Sequence, residues 1–374
     1  MPHDTEQLAQ LKLDLKHIVT LPDSAGIALP PAAYALPEAF ELEVERIFRH
    51  EWVCLGRVDE VAKPGDYFTT KLVGEPLIVV MGDDRKIRVL SNICRHRWCE
   101  VASGKGNTRG FVCPYHAWTY RPDGTLVSAR FMDRTDGFDR KDIALPAIRS
   151  EIWGGFIFAT LDENATPLSE RLTKLDAAIE RYHMQDMQRF TGDDETWDTN
   201  WKLLVENFTE GYHTFYTHAE SLQNSTPSEL TYWGHDEAAF SAFYSPIAPE
   251  EPAREPSHPD LTDKERKTVF MICLYPSLVI ALAPDRVFYM AISPIETGRV
   301  LTRWGVASYG EEFTNSSRKK ISAFYDLVNQ EDRVRLESIQ RAVGSSYANT
   351  RSRRSWLERT NIHFGRYVAS KLAS

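Results

Sequence analysis

Two cysteine–histidine pairs govern what this chain can fold into. Cys94-x-His96 and Cys113-x-x-His116 lie on either side of the segment Arg97 to Val112. Around them the sequence breaks into short apolar runs (YFTTKLV, PLIVVMG, KIRVLSNI, GFVCPY, GFIFATL) parted by Gly, Asp and Pro, the texture of a small all-β domain. Two loops that each offer one thiolate and one imidazole can share a metal centre. Structural zinc sites instead draw on closely spaced cysteine pairs and histidine pairs. A [2Fe–2S] centre with two Cys on one iron and two His on the other suits the unlike spacings better than zinc or scattered packing residues.

The chain has 374 residues, 42% hydrophobic and 26% charged, enough for a sizeable core and more than one domain. Its 44 Lys+Arg against 53 Asp+Glu, a net charge of −9, argue against nucleic acid or an anionic membrane as the main partner. Five cysteines are too few and too odd for a secreted disulfide framework. The N-terminal MPHDTEQLAQLKLDLKH mixes charges throughout and lacks the apolar core of a signal peptide, so a cytoplasmic location is expected. The longest apolar run, Val269 to Ala283, is interrupted by Pro276 and is shorter than the roughly 20 residues of a membrane span. It reads as two buried strands meeting at the proline.

Three segments follow in order. Residues 1–52 hold an amphipathic leader helix over LPEAFELEVERIFRHEW, residues 53–163 the β domain, and residues 164–374 a second domain. In the last, NWKLLVENFTEGYH reads as helix, and LTYWGHDEAAFSAFYS, VFMICLYPSLVIALAP, RVFYMAISPI and RVLTRWGVASY as strands of an antiparallel sheet. A long amphipathic helix spans Ser317 to Val343, with Gly344 as its C′ residue. The Pro-rich, acidic stretch 246–260 is loop.

A second constellation lies in NWKLLVENFTEGYHTFYTH. Glu210 and His213 are three residues apart and share a helix face. His218 lies five beyond His213, so both face one ion only if the helix ends between them. A third ligand comes from periodicity. On the long helix Ile321, Tyr325, Val328, Leu336, Ile339 and Val343 form one stripe, and Asp332 sits at its centre. A carboxylate there needs a cation or hydrogen bonds, so it is either paired with an Arg or bound to a metal; two His with one carboxylate make the facial triad of non-haem iron. Glu331 and Glu337 point toward solvent by the same count.

Cys94-Arg-His96-Arg and Cys113-Pro-Tyr-His116-Ala-Trp118-Thr-Tyr120 with the turn at Asp123-Gly124 resemble the cluster motif of the Rieske oxygenases, the aromatic-ring-hydroxylating alpha subunits. N-W-K-x-x-x-E-N-x-x-E-x-Y-H-x-x-x-x-H from Asn200 to His218 resembles the family's mononuclear iron motif, and Gln330-Glu331-Asp332 with Glu337 and Gln340 its third-ligand segment. The resemblance implies an α+β protein: a small all-β Rieske domain, and a catalytic domain whose antiparallel sheet is flanked by helices in a helix-grip-like arrangement. It implies a Rieske [2Fe–2S] cluster on Cys94, His96, Cys113 and His116, and one Fe(II) on His213, His218 and Asp332. Electrons from NAD(P)H would arrive through a separate flavin/iron–sulfur reductase, with or without a ferredoxin, and O₂ would be co-substrate. Glu210 occupies the bridging position that links the iron of one subunit to the cluster of the next, here His213 to a neighbour's His116, which implies a homotrimer.

Two departures stand out. The family commonly has Gly after C-x-H-R, where this chain has Trp98 followed by Cys99; Cys99 reads as a small buried residue and Trp98 as a shield for the cluster. Most aromatic-ring members carry Asp at the bridge, whereas Glu210 matches the carnitine, choline and glycine-betaine monooxygenases and some N-dealkylating relatives. The expected activity is therefore hydroxylation or oxidative N-dealkylation of a small organic substrate. Ring cis-dihydroxylation is the alternative, and a Rieske electron carrier without oxygen chemistry the remote one.

Overall fold

The computed structural model describes residues 2–309, 314–348 and 352–373. The chain divides into two compact units, Glu51–Ala165, and Met1–His50 with Thr166–Ser374.

In the first unit a seven-stranded antiparallel sheet runs in the order Val53–Arg57, Phe156–Thr160, Ala147–Trp153, Ile87–Ser91, Glu75–Met81, Asp66–Leu72, Lys105–Asn107. A three-stranded sheet, Phe111–Val112, Thr119–Tyr120 and Leu126–Ser128, carries the second Cys–His loop. Alternation in Glu75–Met81 and Ile87–Ser91 turns Ile78, Val80 and Leu90 toward one core with Phe111, Trp118 and Tyr120. Cys94 and Cys113 belong to that same core.

In the second unit an eight-stranded sheet runs Gln188–Thr191, Arg299–Ser308, Arg286–Glu296, Leu278–Leu282, Thr268–Leu274, Phe240–Pro246, Tyr232–Trp233, with Asp194–Trp197 also pairing on Arg299–Ser308. Val269 to Ala283 does form two antiparallel strands around the Tyr275–Pro276 turn. Both are buried over most of their length, which is why they read as one unbroken apolar run.

The long helix spans Asn315–Val343 and starts where the Thr314 hydroxyl accepts the Ser317 N–H at 3.1 Å. Val328, Asn329, Asp332 and Leu336 are its buried residues. Its ends pack less tightly than the stripe predicts, with Ile339 exposed. Gly344 ends the helix at φ −79°, in the right-handed region, so the stop does not use the left-handed C′ geometry expected of it.

The leader differs more. An additional helix, Pro2–Thr20, turns Leu11, Leu15 and Ile18 inward and packs on the C-terminal helix Arg359–Leu372. That i, i+4, i+7 spacing was present in a stretch whose mixed charges suggested only the absence of a signal peptide. The expected leader helix is Pro37–Glu43, continuing into a wider π-helical turn at Val44–Phe48. Phe48 meets Trp201 edge-on at 4.9 Å.

Among the described residues no helix is long and apolar enough to cross a membrane.

Candidate metal centres

The two Cys–His loops are built alike. In each, the Cys carbonyl accepts the N–H four residues on (Trp98 to Cys94, 3.1 Å; Ala117 to Cys113, 3.0 Å), and the Cys N–H donates five residues on (Cys99, 2.9 Å; Trp118, 2.8 Å). Such a loop forces its fifth residue into left-handed backbone, and Trp98 and Ala117 have φ 56° and 58°. That explains the family's glycine at the first position, because only glycine enters this region without a Cβ clash. Trp98 is 80% exposed, so it does not shield the cluster loop by packing within its own unit as the sequence suggested. Cys99 is half-buried.

Cys94 and Cys113 are buried, and both thiols lie close enough to Tyr120 to act on its hydroxyl. Tyr120 Oη is 3.3 Å from Cys94 Sγ and accepts the Arg95 N–H at 3.0 Å, holding the first loop. His96 and His116 meet at 4.6 Å between ring centroids, and His96 stacks on Trp118 at 4.9 Å. Burial, then the neighbouring His116 and Arg97, push the His96 imidazole down, and its buried Nδ1 has no hydrogen-bond partner. Two thiols and two imidazoles, one kept neutral with a bare nitrogen, suit a Rieske [2Fe–2S] cluster.

Trp98→Gly is predicted to stabilise this unit by about 1 kcal/mol, the left-handed strain of roughly 1–2 kcal/mol less glycine's backbone entropy. The thermal midpoint for loss of cluster absorbance should rise. A fall would mean that the indole packs on something in the assembled protein.

The second constellation hangs on the helix Trp201–Phe208. The Asn200 side chain caps it by accepting the Lys202 N–H at 2.9 Å and donates to the Thr297 carbonyl at 2.6 Å. Lys202 and Trp201 both donate to Glu43, at 2.5 and 2.6 Å, with the Lys–Glu pair fully buried. Glu206 takes the Tyr34 hydroxyl at 2.6 Å and Arg354 at 2.7 Å. The polar residues of this motif are thus the pegs that fix the helix, and their partners Glu43, Tyr34 and Arg354 carried no signal in the sequence.

The helix does not continue through His213 as the run NWKLLVENFTEGYH suggests. It ends at Phe208, a turn spans Thr209–Tyr212, and one helical turn, Thr214–Thr217, precedes His218. Glu210 therefore lies on the turn, where its carboxylate accepts the backbone N–H groups of Tyr212 and His213, the latter at 3.0 Å, and meets His213 Nδ1 at 2.6 Å.

His213, His218 and Asp332 converge. His218 Nε2 lies 3.0 Å and His213 Nε2 3.7 Å from Asp332 Oδ1, and the imidazole centroids are 5.1 Å apart. Asp332 Oδ1 is buried and hydrogen-bonds to neither. Against the upward push of burial, His218 and His213 hold the Asp332 carboxyl below its ordinary range. Burial pushes His213 down, but Glu210 outweighs it and raises the imidazole to about 9.

Both outer nitrogens are taken by carboxylates: His213 Nδ1 by Glu210, and His218 Nδ1 by Glu331 at 2.7 Å, which also accepts from Ser221. Glu331 is thus not directed to solvent as its helical angle suggested; the loop after His218 occupies that side of the helix. Glu337 likewise pairs with Arg333 at 2.8 Å. Two Nε2 atoms and an unbonded carboxylate oxygen, with each Nδ1 fixed by an acid, form a donor set that fits Fe(II).

Among the described residues one other group of this kind occurs, His183, His258 and Asp260. There His183 Nε2 hydrogen-bonds Asp260 at 2.8 Å, which satisfies the pair without a metal.

Comparisons with known proteins agree with this chemistry. A Rieske [2Fe-2S] domain model matches residues 51–141, and the ring hydroxylating alpha subunit (catalytic domain) model matches residues 176–374. The chain is 29% identical over 332 residues to the carnitine monooxygenase oxygenase subunit of Acinetobacter pittii (strain PHEA-2), covering 87% of each. It is 35% identical over 198 residues to the glycine betaine monooxygenase oxygenase subunit of Chromohalobacter salexigens, covering 53% of this chain and 44% of that one. It is 34% identical over 224 residues to the benzene 1,2-dioxygenase subunit alpha of Pseudomonas putida, covering 57% and 49%. The solved structure of a quaternary ammonium Rieske monooxygenase, described for carnitine oxidation and inter-subunit electron transfer, superposes with a TM-score of 0.82 at 26% identity, over 95% of this chain and 99% of that one.

A catalytic-domain match over more than half the chain rules out a bare electron carrier, and with the cluster domain before it this chain belongs to the ring-hydroxylating alpha-subunit family, as the Rieske-type terminal oxygenase of a reductase-dependent, O₂- and NAD(P)H-consuming system.

Proposed function

We propose that this oxygenase monooxygenates an N-alkyl carbon of a small nitrogen-bearing substrate and so dealkylates it. One oxygen atom enters a C–H bond next to nitrogen, while the other leaves as water with two electrons from NAD(P)H and two protons. The carbinol C–N bond then breaks, giving an amine and an aldehyde. Supporting this reading is Glu210, whose longer side chain folds back onto two backbone N–H groups and still reaches His213 Nδ1, together with relatives named for carnitine and glycine betaine.

Cys94, His96, Cys113 and His116 would hold the cluster, and His213, His218 and Asp332 the iron. Bound, the two groups supply one-electron storage and O₂ activation. The chain's own residues do the rest. Glu210 and Glu331 accept from the two Nδ1–H groups, so that with iron bound each Nε2 would present its lone pair to the metal beside Asp332. Stacking of Phe208 on Phe288 at 5.9 Å, and of Phe288 on Tyr325 at 4.6 Å, makes an apolar wall of the adjoining cavity, which keeps water from the reacting carbon. Asn207 lines the same cavity as Asp332 and helps hold its carboxyl ionised.

In the same reading Glu210 links His213 to His116 of a neighbouring copy in a cytoplasmic homotrimer, and a flavin/iron–sulfur reductase, directly or through a ferredoxin, reduces the cluster. The stacked rings also favour a second reading, ring cis-dihydroxylation of an arene, and one relative is named benzene 1,2-dioxygenase. Substrate-dependent O₂ uptake with a surrogate reductase, scored for formaldehyde against diol, separates the two. Aldehyde without diol is expected; diol without aldehyde rejects N-dealkylation.

A further inference from the structure

The cavity beside His213, His218 and Asp332 is walled by Phe, Tyr, Met, Val and Leu side chains, yet one guanidinium opens into it. Arg254 is the sole Arg or Lys among its lining residues. Among the described residues no carboxylate pairs with it. Arg254 is half-buried, and a cation on an apolar cavity without a counter-ion gains from a ligand that supplies the charge. The chain as a whole is acidic, at −9, so general charge would repel an anion and any attraction must be local.

Arg254 and Tyr325 line the same cavity. Burial pushes the Tyr325 hydroxyl up, and the guanidiniums of Arg286 and Arg254 oppose that push. Arg286 is already paired with Asp285. Tyr325 and Asp332 lie on one helix seven residues apart, two turns or about 10 Å. Between them Asn329 lines the cavity, 4% exposed, with its amide nitrogen unbonded. A polar side chain so buried normally has a partner. Thr231, across the cavity, has a buried hydroxyl in the same condition. The unsatisfied groups away from the triad are thus a guanidinium, an amide nitrogen and a hydroxyl, all able to donate.

We infer that Arg254 anchors a carboxylate carried by the substrate, with Asn329 as a second donor, in the cavity that Asp332 also lines. The substrate class is then an N-alkylated amino acid. This rests on the cavity being the substrate site of the proposed oxygenase. Asp332, the acid on the same face, marks the end where the alkyl group must sit.

The test uses the intact holoenzyme and two acid–amide pairs, γ-butyrobetaine with its amide and phenylacetate with phenylacetamide, with affinities measured by calorimetry. The acid of at least one pair should bind about 10- to 100-fold more tightly than its amide, the range for hydrogen bonds to a charged group. Arg254→Gln should erase that preference by weakening the acid, and Arg254→Lys should retain part of it. Cluster absorbance, together with amide affinity held within about threefold, certifies each variant as folded. Absence of acid preference in both pairs, or its survival in Arg254→Gln, overturns the inference. Preference in the phenylacetate pair alone keeps the anchor but counts against N-dealkylation, whereas formaldehyde release with equal acid and amide affinity keeps N-dealkylation and removes the anchor.

Discussion

Asp332→Ala is expected to abolish oxygenation and lose the mononuclear iron while leaving the visible spectrum of the cluster intact. His213 and His218 offer two nitrogens, but a divalent ion needs charge as well as lone pairs, and Asp332 supplies the one carboxylate oxygen facing both Nε2 atoms, at 3.7 and 3.0 Å. Glu331 and Glu210 cannot substitute, since each is bound to an outer Nδ1. Alanine also frees the two imidazoles from their shared acid, so a general collapse of the fold is not the expected route to inactivity. Iron content per chain, measured with cluster absorbance on the same sample, decides the matter. Retention of the mononuclear iron in Asp332→Ala would remove Asp332 from the ligand set and with it the facial-triad reading.

Asp332 was legible because a lone acid at the centre of an apolar helical stripe contradicts the stripe. His213 and His218 were legible as a pair, but the break lies elsewhere than expected: the helix stops at Phe208, and Thr214–Thr217, read as the point of unwinding, is one helical turn that ends as His218 begins. Glu331 was not. Helical angle tells which way a side chain leaves its own helix, and only the tertiary fold tells what lies there; the segment after His218 does, so an outward-pointing acid became its partner. Glu43, Tyr34 and Arg354 were invisible for the same reason, since each is far in sequence from the helix it holds. Sheet strands were easy because burial on both faces leaves continuous apolar text. The N-terminal helix was hard because three inward residues among many charges is a weak signal that only its packing on Arg359–Leu372 completes. Trp98 shows the converse, where the structure supplies the reason for a family pattern that the chain breaks: φ 56° at that loop position.

Glu210→Gln is expected to keep both metal groups and yet lower coupled turnover by about 100-fold, the upper range for groups that act through a metal ligand. Glutamine preserves the length and can still accept from His213 Nδ1, but it has one acceptor oxygen where Glu210 uses two, one for the imidazole and one for the N–H groups of Tyr212 and His213. It also removes the charge that sustains a raised His213. Glu210 is 8% exposed, so its carboxylate is screened little and its loss is felt fully. A merely structural Glu210 would show itself as lost iron or a lower unfolding midpoint. A bridging Glu210 would instead leave the reduced cluster long-lived when substrate and O₂ are added, read by stopped-flow absorbance. Glu210→Asp adds a second readout: a side chain one methylene shorter cannot fold back onto Tyr212 and reach Nδ1 together, so turnover between glutamine and wild type is expected. Wild-type reoxidation in Glu210→Gln would mean that electrons reach the iron by another path.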